Sequence, residues 1–356
     1  MTKITPLDVN WCNRPKTIAA ALLESENHAA LIDPGPESTL TTLREQLSAH
    51  GLAISDLNTI LLTHIHLDHA GVTGTLVREN PKLKVFVHAN GARHMADPSK
   101  LIASATRLWG DQLPILFGET LPVPQENLQI LEGGETLTLG SRKLDVAYTP
   151  GHASHHVSYF DSDEGVAFIG DTGGIRIDNS PYIYPATPPP DIDLTLWDQS
   201  FKTILDRNPT RLFLTHFAWS NDPAAHIAEF HDRLHRWLST AEKSLRAAVN
   251  FVARTQTNTH SDAKNPSTSA ESGAPVLKPQ PTASDAATKE LEAKIEVAAM
   301  GVFIRECTAE MESKVSPAEA DHYAFTAGLD LSFRGLSRAL RKRTEATARQ
   351  NPEREL

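Results

Sequence analysis

The stretch Thr59-Ile60-Leu61-Leu62-Thr63-His64-Ile65-His66-Leu67-Asp68-His69 decides how the rest of the chain is read. Its first half is short and continuously apolar around Ile60–Leu62, the pattern of a strand buried on both faces. Its second half packs three imidazoles and a carboxylate into six residues. That density of nitrogen and oxygen donors at a strand end is the signature of a metal site rather than of a polar surface turn.

Working outward, the same design recurs three times. Val146-Ala147-Tyr148-Thr149-Pro150-Gly151-His152 is a strand closed by a tight turn and a histidine. Val166-Ala167-Phe168-Ile169-Gly170-Asp171 ends in Gly-Asp, and Leu212-Phe213-Leu214-Thr215-His216 ends in His. Each places a donor just past the carboxyl end of a buried strand, where rigid elements can aim several ligands at one point.

Between these motifs, strand-like runs alternate with helical ones. Residues 17–25 and 28–35, separated by Glu26 and Asn27, read as an antiparallel hairpin. Residues 38–50 have helical spacing closed by Gly51. A helix is expected from about Asp68 to just before Pro81. Further strands are expected at 84–87, 144–148, 157–160 and 211–214. The mixture predicts a layered α/β or α+β domain rather than a bundle.

The C-terminal third differs. Asp222-Pro223 offers an N-cap and a proline at the first helical position, opening a helix over 222–254 with an apolar stripe of Ile227, Phe230, Leu234 and Leu238. Residues 255–289 are rich in Ser, Thr, Ala, Pro and Asn and read as a disordered linker. A helical region follows over 290–356, with a capping box at Ser316–Glu319 and apolar Leu329, Leu331, Phe333, Leu336 and Leu340. Each stripe needs a partner surface, and the two helical segments are expected to pack on each other; lying over the metal edge, they would shape access to it.

Composition excludes several classes. Among 356 residues, 34 are basic and 44 acidic, a formal net charge of −10, which argues against a general nucleic-acid binder. Arg334, Arg338, Arg341, Lys342 and Arg343 read as a solvated helix face. No apolar run reaches the roughly 20 residues that cross a bilayer, and the first residues lack the apolar region of a secretory signal. Only two cysteines are present, Cys12 and Cys307, so no disulfide framework is implied. The expectation is a cytoplasmic protein with a small-molecule substrate, no nucleic-acid partner and no membrane association. Nothing in the sequence indicates an oligomeric state.

Taken together, these motifs resemble the metallo-β-lactamase superfamily, with its H-x-H-x-D-H run and separate His, Asp and His ligands. Asp33 in Leu31-Ile32-Asp33-Pro34-Gly35 also resembles that family's first motif, a carboxylate behind the metals. The resemblance spans about residues 17–220. It implies an αββα sandwich of two mixed sheets with outer helices over 1–221, followed by the C-terminal helical appendage. It also implies two metal ions: His64, His66 and His152 on one, Asp68, His69 and His216 on the other, Asp171 bridging. Zinc is expected, although such donors also suit iron or manganese. The implied activity is hydrolysis of an ester, thioester or lactone by a metal-bridging hydroxide, with Asp68 as proton shuttle and Cys12 and Cys307 dispensable. These acyl substrates are favoured because the sequence shows no basic cluster to grip phosphate. The alternatives are a mononuclear-iron enzyme resembling persulfide dioxygenases, a phosphodiesterase or nuclease of the same fold, and a non-catalytic binding module.

Other residues carry smaller expectations. Of the pair His155–His156, His156 is expected behind the metal ligands as a buried, hydrogen-bonded histidine, while one of the two could face substrate. Tyr182 and Tyr184, in the Pro-rich run 180–190, are candidates for the substrate pocket, as are Trp109 and Phe117. His28, His50, His94, His231 and His235 have no ligand context and are expected to be ordinary.

Overall fold

The hairpin at Glu26–Asn27 sets the pattern of the first sheet. In the computed structural model, which describes residues 2–259 and 283–350, Ser25 pairs with His28 across that two-residue loop. Glu26 sits at φ 52°, as tight hairpin loops require. The hairpin strands are β2 (Ala19–Ser25) and β3 (His28–Ile32); β1 (Thr2–Asp8) lies outside β2 at the sheet edge. There Pro6 costs no ladder bond to a further strand. β4 (Thr59–Leu61), β5 (Lys84–His88) and β6 (Leu128–Leu131) continue the sheet in parallel.

The second sheet is built from β7 (Thr136–Leu139), β8 (Arg142–Tyr148), β9 (Val157–Asp161), β10 (Val166–Phe168), β11 (Arg211–Leu214) and β12 (Ala218–Ser220). All its pairings are antiparallel except β10 with β11. Two mixed six-stranded sheets therefore face each other, as the αββα expectation requires.

The period of two along a strand sorts side chains between two faces. In β2, Ala19, Ala21 and Leu23 point between the sheets, joining Ile32, Leu61, Leu144, Tyr159, Phe168 and Phe213. Ala20 and Leu22 point outward with Leu31 and Ile60. Six helices cover that outer face: α1 (Leu40–Ala49), α2 (Leu67–Ala70), α3 (Thr73–Glu79), α4 (Ala89–Ala96), α5 (Ser99–Trp109) and α6 (Leu113–Phe117). The single helix expected from Asp68 to Pro81 is two, because the chain turns at Gly71–Val72 and Val72 N–H donates to Gly35 O instead of continuing one ladder.

The outer face of the second sheet is covered by α7 (Leu194–Leu205) and four helices of the C-terminal third. These are α8 (Pro223–Thr259), α9 (Ala283–Glu312), α10 (Pro317–Thr326) and α11 (Leu329–Gln350). Phe230, Leu234 and Trp237 of α8, Phe303 of α9, Tyr323 of α10 and Phe333 and Leu336 of α11 form one cluster with Ala167, Leu212 and Leu214 of the sheet. The stripes do find each other, and they also find the sheet: these helices are an outer layer of the sandwich. Burying each large apolar side chain here is worth roughly 1.5–3 kcal/mol. The expected linker lies mostly outside the described residues; within them, 255–259 and 283–289 belong to α8 and α9. Among the described residues no helix is long and apolar enough to cross a membrane.

Candidate metal centre

The four strand-end motifs meet at one edge of the sandwich. His64 follows β4, His66 stands at the N-cap position of α2, and Asp68 and His69 lie within that helix. His152 follows β8, Asp171 sits in a 3-10 turn after β10, and His216 follows β11. Gly151, at φ 140°, lets α7 approach this loop: a Cβ there would lie 2.4 Å from Trp197 Cβ. The Pro-Gly-His order of the motif thus has a packing cause.

The donor atoms converge. His64 Nε2 and His152 Nε2 lie 3.0 and 2.9 Å from His66 Nδ1. On the other side, His216 Nε2 is 3.3 Å and His69 Nε2 3.8 Å from Asp68 Oδ2. Asp171 lies between the two groups. Its Oδ2 is 3.5 Å from His152 Nε2, and its Oδ1 is 3.1 Å from His69 Nε2 and 3.6 Å from His216 Nε2. Ligands bonded at about 2.0–2.1 Å around a tetrahedral ion sit about 3.3 Å apart, so these separations are those of coordination spheres.

The opposite ring nitrogens are already engaged. His69 Nδ1 meets Asp33 Oδ2 at 2.8 Å, His152 Nδ1 meets Ala186 O at 3.0 Å, and His216 Nδ1 meets Thr17 O at 2.7 Å. Such partners fix the tautomer and leave Nε2 as the free donor. His69 Nε2 and Asp171 Oδ1 are buried and face each other at 3.1 Å without the alignment of a hydrogen bond, an arrangement that a cation shared between them would satisfy. The residues fit a metal centre.

A family model described as the Metallo-beta-lactamase superfamily matches residues 14–216, the segment that holds all seven donors. The chain belongs to that superfamily. A metallo-beta-lactamase fold-containing protein of Sulfurisphaera tokodaii is 27% identical over 242 residues, 67% of this chain and 85% of that one. A hydroxyacylglutathione hydrolase of Aeromonas hydrophila is 30% identical over 151 residues, which is 42% of this chain and 44% of its own length. Among solved structures, an archaeal metallo-beta-lactamase superfamily protein from Sulfolobus tokodaii aligns with TM-score 0.53 and 21% identity, covering 85% of this chain and 97% of that one. That fold likeness reaches beyond the segment matched by the family model, into the C-terminal helices.

Within this site, Asp33 is the hub behind the cluster of donors. It accepts from Thr63 N–H (2.8 Å), Thr63 Oγ1 (2.7 Å) and Thr215 Oγ1 (2.8 Å) as well as facing His69. It holds this position at φ 48°, an uncommon conformation for a residue with a side chain. Thr63 and Thr215 immediately precede ligands, and that adjacency was the available signal for their role.

Burial and charge divide the imidazoles. Burial, reinforced by His69, His66 and His152, holds His64 well below its ordinary pKa, and burial with His152 brings His66 to about 4. Burial opposes charge on His69 and His216 as well. There the Asp171 and Asp68 carboxylates prevail and raise both. Burial likewise pushes Asp68 up, but His69 and His216 pull it down to about 2.

The centre opens on a cavity of about 620 Å³. His66, Asp68, Asp171 and His216 lie on its wall, and Trp11, Leu101, Leu108, Trp109 and Phe117 supply apolar surface. His155 lines it too, while His156 is buried behind, with its Nδ1 3.0 Å from Thr149 Oγ1. Of the pair, His155 thus reaches the cavity wall and His156 does not.

The substrate-pocket expectation for two tyrosines is corrected. Tyr182 and Tyr184 do not line the cavity; both are fully buried in the helical layer, under the Arg233 guanidinium and against Trp237 respectively. The Pro-rich run turns their rings toward the C-terminal helices, which sequence spacing could not show. His94 lines the cavity with Arg93 and Lys100 on α4 and α5. These two cations are a basic element that the sequence did not reveal, because it is assembled across a helix junction. At the junction of α10 and α11, Thr326, Ala327, Gly328, Leu331 and Ser332 also form part of the wall.

Proposed function

We propose that this chain is a metal-dependent hydrolase acting on an ester, thioester or lactone. The observation that carries the reading is the position of Asp171, within 3.1–3.6 Å of imidazoles on both sides. It gives a carboxylate to each of two adjacent ion positions. His64, His66 and His152 would hold one ion; Asp68, His69 and His216 would hold the other. Two zinc ions there would supply a Lewis acid for the scissile carbonyl and a bound water with its pKa lowered to about 7.

The chain's own residues do the rest. Asp33 orients His69, and the carbonyls of Ala186 and Thr17 orient His152 and His216. Asp68 retains 25% of its side-chain exposure and faces the cavity; it is placed to carry a proton to the leaving group. Trp11, Leu101, Leu108, Trp109 and Phe117 exclude water and receive an apolar acyl or aromatic body. Arg93 and Lys100 suit an anionic group away from the scissile bond, and they also favour a phosphodiester as the second reading.

The likeness to hydroxyacylglutathione hydrolases supports an acyl substrate. The test is a panel of lactones, thioesters and phosphodiesters with the zinc-loaded full chain, before and after chelation. Hydrolysis of an acyl substrate, lost with the metal and restored by zinc, is expected. One tightly held iron per chain, with oxygen-dependent oxidation of a persulfide and no hydrolysis, would overturn it.

A further inference from the structure

The geometry points to a second, separate metal site on the outer helical layer, formed by Asp198, His231 and His235 and suited to a divalent late transition ion such as Zn2+, Ni2+ or Cu2+. His231 and His235 are four residues apart on α8, so their rings share one face of the helix, with centroids 4.4 Å apart. Asp198 on α7 faces both. Its Oδ1 lies 3.4 Å from His231 Nε2 and 2.9 Å from His235 Nε2, and one donor atom from each residue falls within 4.8 Å of the others. The two Asp198 separations are those expected between ligands of one ion bonded at about 2.0–2.2 Å.

A second observation concerns the far side of the ring. His231 Nδ1 lies 3.6 Å from Asp232 Oδ1, so a second carboxylate adds negative potential beside the ring without hydrogen-bonding to it. None of the ion pairs among the described residues gives Asp198 a lysine or arginine; both its pairings are with these imidazoles. Asp198, His231 and His235 are 38–44% exposed at their side chains, so water can complete the coordination and ions have an open path. Two imidazoles and one carboxylate suit borderline ions rather than Ca2+ or Mg2+. The ion would tie α7 to α8. It would lie on the same helix as Trp197, whose ring packs 5.7 Å from that of His152.

The test is equilibrium dialysis of the full chain against micromolar ZnCl2, with elemental analysis and thermal unfolding. The wild type is compared with the double variant His231→Ala, His235→Ala and with Asp198→Asn, which keeps the side-chain shape. We expect the wild type to hold one ion more per chain than the double variant. Asp198→Asn should need tenfold or more zinc to fill that position. The unfolding temperature of the wild type should keep rising with zinc at concentrations where both variants have levelled off. Equal metal content and equal zinc-dependent shifts in wild type and Asp198→Asn would overturn the site.

Discussion

The two sheets reach the metal cluster by different routes. Sheet one delivers His64, His66, Asp68 and His69 from a single run after β4, and its outer face is covered by helices that are its neighbours in sequence. Sheet two delivers His152, Asp171 and His216 one at a time, from the ends of β8, β10 and β11. Its outer face is covered by α7 and by helices that follow the last strand, ending with α11 at Leu329–Gln350. One half of the site is therefore local, and the other half depends on distant packing.

That dependence can be traced atom by atom. Gly335 of α11 passes so close to the Pro-rich run that a Cβ would lie 1.9 Å from Thr187 O. Arg338 and Lys342 donate to Pro190 O at 3.2 and 3.0 Å. The same run carries Ala186, whose carbonyl holds His152. The C-terminal helix thus braces a ligand of the second half without touching it.

The largest expected effect falls on the shared centre. His66→Ala should lower hydrolysis by more than the ~100-fold that losing an outer partner of a ligand costs, while Cys12→Ala and Cys307→Ala leave it unchanged; steady-state assays decide. A thiol reagent that inactivates the wild type but not the cysteine variants would count against metal chemistry. Next, Phe303→Ala should cost about 3–5 kcal/mol of stability in urea unfolding, because the helical layer is part of the core; a loss under about 1 kcal/mol would make that layer a loosely attached arm.

Two smaller effects separate the halves. Asp33→Asn should weaken zinc binding about 10–100-fold on the Asp68–His69–His216 side, and Gly335→Ala should do so on the His152 side, each read by competition with a chromophoric chelator. Equal loss on both sides in both variants would contradict the assignment of Asp33 to His69 and of the Gly335 contact to His152. The smallest effect is a pH response. Burial holds His226 of α8 at about 4 against an ordinary 6.5, and its Nε2–H donates to Gly173 O at 2.8 Å. Its folded pKa is depressed, so its contribution is present above the unfolded pKa and is lost as pH falls from 6.5 toward 4. The wild type should therefore lose about 2 kcal/mol more than His226→Gln between about pH 7 and about pH 5, read from urea midpoints.

The legibility of the site follows the same division. The H-x-H-x-D-H run and the three strand-end donors were readable because each motif carries its strand and its ligand within a few residues. The hairpin was readable because Glu26–Asn27 fixes its loop. Edge strands β1, β6, β7 and β12 were not, since their short polar-apolar mixtures lack a run to mark them. The burial of Tyr182 and Tyr184, the cavity position of Arg93 and Lys100, and the pairing of Asp198 with His231 and His235 all depend on contacts between separate helices, which no local spacing records.

The most direct test of the central claim is anomalous diffraction at the zinc edge from crystals of the zinc-loaded chain. Two peaks about 3.5–4 Å apart, one on each side of Asp171, are the expected result. A single peak among His64, His66 and His152, with nothing bound to Asp68, His69 and His216, would contradict the two-ion hydrolase.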